Sequence, residues 1–327
     1  MKKKLLAGLA VAALSMVLVA CGNGDKGKTA ASGSEAASSE SAQSSSEATP
    51  KTIEVEDSNG KVTVPTNPKK VVVFDNGSLD TIDALGAGDA VVGAAVDNLP
   101  TYLDKYTSVE SAGGLKEPDL EKINQLQPDL IIISGRQRDF MEDLSKIAPT
   151  LFLAVDNENT WASIQQNVTT LGKIFGKETE AADALASLDK EIAATKEKAE
   201  ASGSKALVVL ANEGQLSAYG QGSRFGIVHD TFGFAQADDQ IEASTHGQSV
   251  SFEYVLEKNP DILFVVDRTK AVGGDDSQNN LTDNELVKQT TAGKNDKVIQ
   301  LSPDTWYLSG GGLESVHLML EDVNNAF

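Results

Sequence analysis

The sequence predicts an α/β protein of two Rossmann-like lobes, each built on a central parallel sheet, joined by one long connecting helix. Three observations predict it. Continuous apolar runs such as Val71–Phe74 and Leu130–Ile133 alternate with helical stretches, the pattern of parallel strands covered on both faces. A second such series begins near Lys205. The segment 121–136 returns as 253–268 with Glu, Pro-Asp and a terminal Arg at the same offset, so the chain repeats itself once.

Taken in order, Thr52–Val55 and Lys61–Val64 alternate β-branched residues about Ser58-Asn59-Gly60, which predicts a β-hairpin with an Asn-Gly turn. Val71–Phe74 is the first buried strand, and a helix from about Ser78 to Leu85 closes at Gly86. Strands follow at Val91–Ala95, Leu130–Ile133 and Leu151–Leu153. Residues from about Trp161 to Glu200 read as helix with an interruption near Gly176; Leu185, Leu188 and Ile192 form one apolar stripe. The second series places strands at Ala206–Leu210 and Ile262–Val266. These readings divide the chain into residues 51–176 as the first lobe, 177–201 as the connecting helix and 202–327 as the second lobe.

The two repeat copies are each a helix begun near an acid, a Pro-Asp turn, a buried strand and an arginine just past its end. In open α/β sheets that end faces the ligand crevice. Arg136 and Arg268 are therefore expected to look into a shared cleft from opposite lobes.

Composition narrows the function. The 327 residues carry 28 basic against 48 acidic side chains, net -20, which repels phosphate backbones and excludes nucleic acid as a partner. One cysteine allows no intramolecular disulfide and no zinc site of three or four thiolates, and three histidines argue against a His-rich metal site.

The N-terminus accounts for that cysteine. Lys2, Lys3 and Lys4 precede an apolar run from Leu5 to Ala20, shorter than the roughly 18–20 residues of a membrane span. Residues 1–20 read as a signal peptide. Leu18-Val19-Ala20-Cys21 resembles the bacterial lipobox, in which the cysteine is acylated after cleavage; an ordinary signal peptide is the other reading. Cleavage removes three of the basic residues and no acid, taking the net charge from -20 to -23. Residues 21–50, mostly Ser, Ala, Gly, Glu and Lys, cannot bury enough apolar surface to order themselves, and read as a tether. Lipid, leash and globular head place the protein on the outer face of a cytoplasmic membrane, in a Gram-positive cell.

Only four of the basic residues are arginines: Arg136, Arg138, Arg224 and Arg268. Lysine would serve solvation, whereas arginine offers a rigid fork of donors for an anion. Arg136, Arg224 and Arg268 form a candidate cationic trio; the alternative is ordinary surface arginines. His246, in Thr245-His-Gly-Gln-Ser249, and Tyr307, in Trp306-Tyr-Leu-Ser-Gly310, stand in predicted loops, where packing or exposure is the commoner role. His229 and His317 read as structural or exposed. No nucleophile elbow, His-Glu-x-x-His or phosphate-binding loop is present, so no enzyme is expected. Ser309-Gly-Gly-Gly could cradle a phosphate or simply let the chain turn.

The segments Ile133-Ser-Gly-Arg-Gln137, Ser223-Arg-Phe-Gly226, Thr245-His-Gly-Gln-Ser249, Val266-Asp-Arg268 and Trp306-Tyr-Leu-Ser-Gly310 together resemble the iron(III)–siderophore-binding lipoproteins of ABC importers, catecholate branch. The resemblance covers essentially the whole chain. It implies a helical-backbone periplasmic-binding-protein fold, with Arg136, Arg224 and Arg268 holding a ferric catecholate and His246 and Tyr307 completing the iron shell. It further implies that Glu121 and Glu253 dock onto a two-fold ABC permease, although as acids opening helices they could simply answer the helix dipole. No permanent cofactor is implied, only a transported ferric siderophore, and the protein is expected to act as a monomer. Within this fold a hydroxamate-siderophore or heme receptor is the competing reading; from another class, a secreted lipoprotein hydrolase. Charge favours the catecholate, because a ferric tris-catecholate carries about three negatives for three arginines.

Overall fold

The computed structural model describes residues 51–327, so the signal peptide, Cys21 and the tether at 21–50 lie outside the described residues. The chain opens with an antiparallel hairpin, β1 (Thr52–Asp57) and β2 (Gly60–Pro65). Asp57 pairs with Gly60, so the turn residues are Ser58 and Asn59. Gly60, at φ +118°, starts the second strand instead of finishing the turn.

The first sheet follows: β3 (Val71–Val73), helix α1 (Asn76–Ala84), β4 (Val91–Ala94), β5 (Glu110–Ser111), α2 (Leu120–Leu126), β6 (Leu130–Ile133), α3 (Met141–Ser145) and β7 (Thr150–Phe152). Its order is β5-β4-β3-β6-β7, all parallel. The order reverses at β3, and the ends of β3 and β6 open on the crevice beside that point.

Helices α4 (Thr160–Phe175) and α5 (Glu178–Ser202) come next, separated by Gly176 in the left-handed region. Leu188 and Ile192 of the predicted stripe are buried and Leu185 is half-buried. The second sheet contains β8 (Lys205–Asn212), β9 (Gln215–Tyr219), β10 (Ala235–Gln236), β11 (Gln248–Val250), β12 (Ile262–Asp267) and β13 (Val298–Gln300). Short helices α6 (Ile227–Asp230), α7 (Phe252–Lys258), α8 (Arg268–Ala271) and α9 (Thr291–Lys294) connect them, and α10 (Leu313–Asn324) ends the described chain. The centre of this sheet is parallel, but β9 pairs antiparallel with both β8 and β11, so it is mixed at that side.

Period-two burial explains the strands. Val71, Val73, Leu130 and Ile132 face one core, while Val72, Ile131 and Ile133 face another. In the second sheet Val208, Leu210, Phe264 and Val266 join the first of these cores, and Leu207, Val209, Leu263 and Val265 face a third. The shared core is filled by α4, α5 and α10. A strand apolar on both faces has no alternation to read, which is why its sequence is a plain run of Val, Ile and Leu. Truncating a residue in this shared core, such as Leu320 of α10, should cost roughly 2–5 kcal/mol.

The repeat is structural as well as textual. Helices α2 and α7 are N-capped by Asp119 and Ser251 and end on left-handed Gln127 and Asn259, at φ 45° and 42°. The following aspartates anchor the next strand to its neighbour. Asp129 accepts the backbone N–H groups of Lys69 and Lys70 at 2.7 and 2.9 Å, and Asp261 that of Lys205 at 2.9 Å. Glutamates 121 and 253 sit at the same position of the first turn of their helices, exposed.

Candidate functional site

Arg136 follows β6 in a short 3-10 turn, Gly135–Phe140, and Arg268 opens α8 at the end of β12. Arg224 stands in the loop between β9 and α6. The segment carrying Tyr307, expected to be a loop, is a single π-helical turn, Thr305–Ser309. Such wide turns are rare and occur mostly singly, often at functional sites. Asp304 caps the turn through the Thr305 N–H at 3.0 Å, and its other oxygen accepts the Thr101 N–H and hydroxyl at 2.8 and 2.7 Å. Trp306 is buried and donates its indole N–H to Asp322 at 2.9 Å. Its ring meets Phe225 edge-on, which in turn meets Tyr219. Burial of Trp306 and Leu308 leaves Tyr307 between them facing the cleft.

All three arginines of the candidate trio converge on Tyr307. Arg136 and Arg224 each donate from Nη2 to its backbone carbonyl, at 2.8 and 2.6 Å. Arg268 donates from Nε to the phenol oxygen at 2.8 Å and from Nη1 to Oδ1 of Asn212, at the end of β8, at 2.7 Å. The Arg224 and Arg268 guanidinium carbons lie 4.4 and 5.5 Å from the Tyr307 ring centroid. Burial and the neighbouring Arg224 charge hold the Arg136 guanidinium below its ordinary pKa. Burial would push the Tyr307 phenol up, but the Arg268 hydrogen bond and the charges of Arg224 and Arg268 outweigh it, and its pKa falls below the usual tyrosine value.

An open cleft of about 270 Å³ lies against this cluster, lined by Arg136, Arg268 and Tyr307, with Leu115, Leu308 and Val272 as apolar wall and Lys116 and Glu117 beside them. A larger polar hollow of about 540 Å³, beside Asp267, Lys270 and Gln300, contains none of the arginines. Of these two, the cleft beside Tyr307 is the chemically distinctive one, because it carries two of the arginines.

The structure leaves His246 outside this hydrogen-bonded cluster. It is exposed in the loop before β11, where its carbonyl accepts from the Tyr219 hydroxyl at 3.0 Å. The loop does adjoin Arg224, whose N–H donates to the Ser244 carbonyl at 3.4 Å, and Asn157 reaches it from the first lobe by donating to the Thr245 hydroxyl at 3.2 Å. Arg138, the fourth arginine, lies with its guanidinium carbon 4.6 Å from the Phe152 ring centroid. His229 is buried on α6 with Nδ1 2.9 Å from the Phe234 carbonyl, and His317 on α10 faces Glu191 at 2.6 Å.

The Gly310-Gly311-Gly312 run resolves as a packing device. A Cβ on Gly77 of α1 would come within 2.9 Å of the Gly311 backbone, and one on Gly312 within 2.4 Å of the Gly77 carbonyl. The close approach lets Asp80 of α1 cap α10, accepting the N–H groups of Glu314 and Ser315 at 2.8 and 2.7 Å. Burial raises this carboxyl to about pKa 6 despite those two donors. The Asn76 side chain, also on α1, donates to the Leu308 carbonyl at 3.2 Å. No sequence pattern singled out Asn76, Asp80 or Asn212 as partners of the site.

Comparison with known proteins places the fold. Residues 71–305 match the periplasmic binding protein family model. The petrobactin-binding protein YclQ of Bacillus subtilis is 51% identical over 82% of this chain and 85% of its own length. Its crystal structure superimposes with a TM-score of 0.83, at 48% identity, covering 84% of this chain and 98% of that one. The ferric-anguibactin-binding protein FatB of Vibrio anguillarum is 34% identical over 83% of this chain and 86% of its length. The catecholate-siderophore-binding protein VctP of Vibrio cholerae superimposes with a TM-score of 0.79, at 36% identity, covering 84% of this chain and all of that one. With lobes, helical backbone and family model in agreement, the chain belongs to the periplasmic binding protein family.

Proposed function

We propose that this chain is the substrate receptor of an ABC importer, binding a ferric catecholate siderophore in the cleft between its lobes and delivering it to the permease. The observation that carries the reading is the convergence of Arg136, Arg224 and Arg268 on Tyr307 beside an open cleft. Relatives named for petrobactin, anguibactin and catecholate siderophores support the same ligand class. The protein captures and releases its cargo without turning it over, as its family does.

In this reading the trio meets the negative charge of the ferric catecholate. His246 and Tyr307 supply donors to Fe3+ where a tetradentate chelator leaves two of the six iron positions open; imidazole nitrogen and phenolate oxygen suit that hard cation. Cys21 carries the lipid that holds a monomeric receptor at the outer face of a Gram-positive membrane. Residues 51–176 and 202–327 act as lobes about the 177–201 helix, which limits closure to a small rotation. Glu121 and Glu253, equivalent and exposed in both lobes, dock the receptor onto a two-fold permease.

Tryptophan quenching tests the reading, with ferric bis-catecholate, ferric hydroxamate and heme titrated in parallel. The ferric catecholate should bind tightest by a wide margin. Equal affinity for the uncharged hydroxamate complex would remove the charge argument and with it the assignment.

A further inference from the structure

We propose that Gln137 is the positioning residue of the cleft, a buried carboxamide that fixes Arg136 relative to a second loop lining the same cleft. The inference rests on the proposed function, since it concerns how that site is held. Gln137 is fully buried, although Arg138 beside it is exposed and Arg136 is only partly covered. Its side-chain oxygen accepts the Ser134 N–H at 3.1 Å, closing the Gly135–Phe140 turn that carries Arg136. Its amide nitrogen donates to the carbonyl of Leu115.

Leu115 belongs to a tight turn whose ends are tied twice. Gly114 and Glu117 exchange backbone hydrogen bonds at 3.0 and 3.2 Å, and Gly113 pairs with Pro118. Gly113 takes φ +105°, where a Cβ would meet the Asp119 nitrogen at 2.4 Å, so the turn tolerates only glycine there. The tip of the turn, Leu115 to Glu117, is cleft wall. One side chain thus ties the arginine turn to the wall turn.

The chemistry demands an amide. A carboxamide offers an acceptor and a donor at once; an ionised carboxylate cannot donate, an ammonium cannot accept, and an apolar side chain of the same length does neither. Removing it strands the Leu115 carbonyl and frees the Arg136 turn to shift, in a place where the Arg136 fork must meet both Tyr307 and the ligand.

A double-mutant cycle on the full chain tests this, using tryptophan quenching by a ferric bis-catecholate and thermal melts as a folding control. Gln137→Met should weaken binding about ten-fold in the native background and less than about two-fold where Arg136 is already alanine. A purely structural role would give the same loss in both backgrounds, and that result, or no loss in either, overturns the proposal. If Gln137→Met does not fold, Gln137→Glu, which keeps the acceptor for Ser134, is taken through the same cycle with the same two readings. An unsubstituted chain that fails to bind the ferric bis-catecholate overturns the functional assignment itself, a result separate from either outcome of the cycle.

Discussion

Arg136 of the first lobe and Arg224 of the second donate to one oxygen, the backbone carbonyl of Tyr307, at 2.8 and 2.6 Å. Two guanidiniums that repel each other are held at one point by a neutral dipole that satisfies one donor from each. Arg136 also lines the open cleft, so in the proposed role it meets the ligand from a cluster that is already assembled. Preorganisation of this kind removes an ordering cost from binding.

The trio should dominate affinity. Arg136→Ala, Arg224→Ala and Arg268→Ala are each expected to cost about 1.5–3 kcal/mol, roughly ten- to a hundred-fold in the dissociation constant for a ferric catecholate. Arg138→Ala, whose guanidinium lies near Phe152, should leave affinity within about two-fold. Quenching titrations on the four variants decide it, and equal small effects at all four would remove the trio.

Tyr307→Phe keeps the carbonyl that unites Arg136 and Arg224 and deletes only the acceptor for Arg268 Nε. It should therefore spare hexadentate ferric ligands, weaken tetradentate ones and abolish a phenolate-to-iron charge-transfer band. His246→Ala, at an exposed position, should change stability by less than about 0.5 kcal/mol while also weakening tetradentate ligands. Identical visible spectra for the native protein and both variants would remove the donor roles. Because the arginines lower the Tyr307 pKa, Arg268→Ala should shift its ultraviolet titration to higher pH.

Asp80 predicts a pH dependence of stability. Its carboxyl titrates at about 6 when folded and near 3.9 when unfolded. As pH falls from 7 the folded chain binds this proton first, so the contribution is fully present below about pH 4 and is lost as pH rises past about 6. Its size is on the order of 3 kcal/mol. The stability of the native protein relative to Asp80→Asn should decline by that order between about pH 4 and 7 in urea melts. A flat difference would show that the α10 cap does not titrate.

Replacing both Glu121 and Glu253 by alanine should leave ligand affinity unchanged and greatly reduce cellular uptake of the ferric siderophore. Both side chains are exposed, so folding should tolerate the change. Normal uptake at normal protein levels would leave them only the helix-dipole role.

Much of this was legible because it was local or repeated. Glu, Pro-Asp and Arg recurring at a fixed offset marked two equivalent crossovers, and the doubly buried strands announced themselves as unbroken apolar runs. The arginines stood out because the chain otherwise uses lysine. Asp80 carried no such signal: a carboxylate inside α1 gives no hint that its donors lie on α10. The π-helical turn at Tyr307 was equally silent, since its cap Asp304 is itself held by Thr101 and its Trp306 by Asp322, from distant segments on either side of it. Gln137 was visible within its motif, but only tertiary structure gives its amide two partners.

The Asp80 cap also governs how the molecule is made. Its donors lie 234 and 235 residues further along the chain, and the core that α10 fills is common to both sheets. Contacts of such separation return stabilisation only after nearly all the loop-closure entropy has been lost, which slows folding. The face of each sheet that turns to the shared core is covered in part by α10, so its docking is expected to come late and to involve both halves. Heat should accordingly melt the described protein in one transition, with the two lobes lost together.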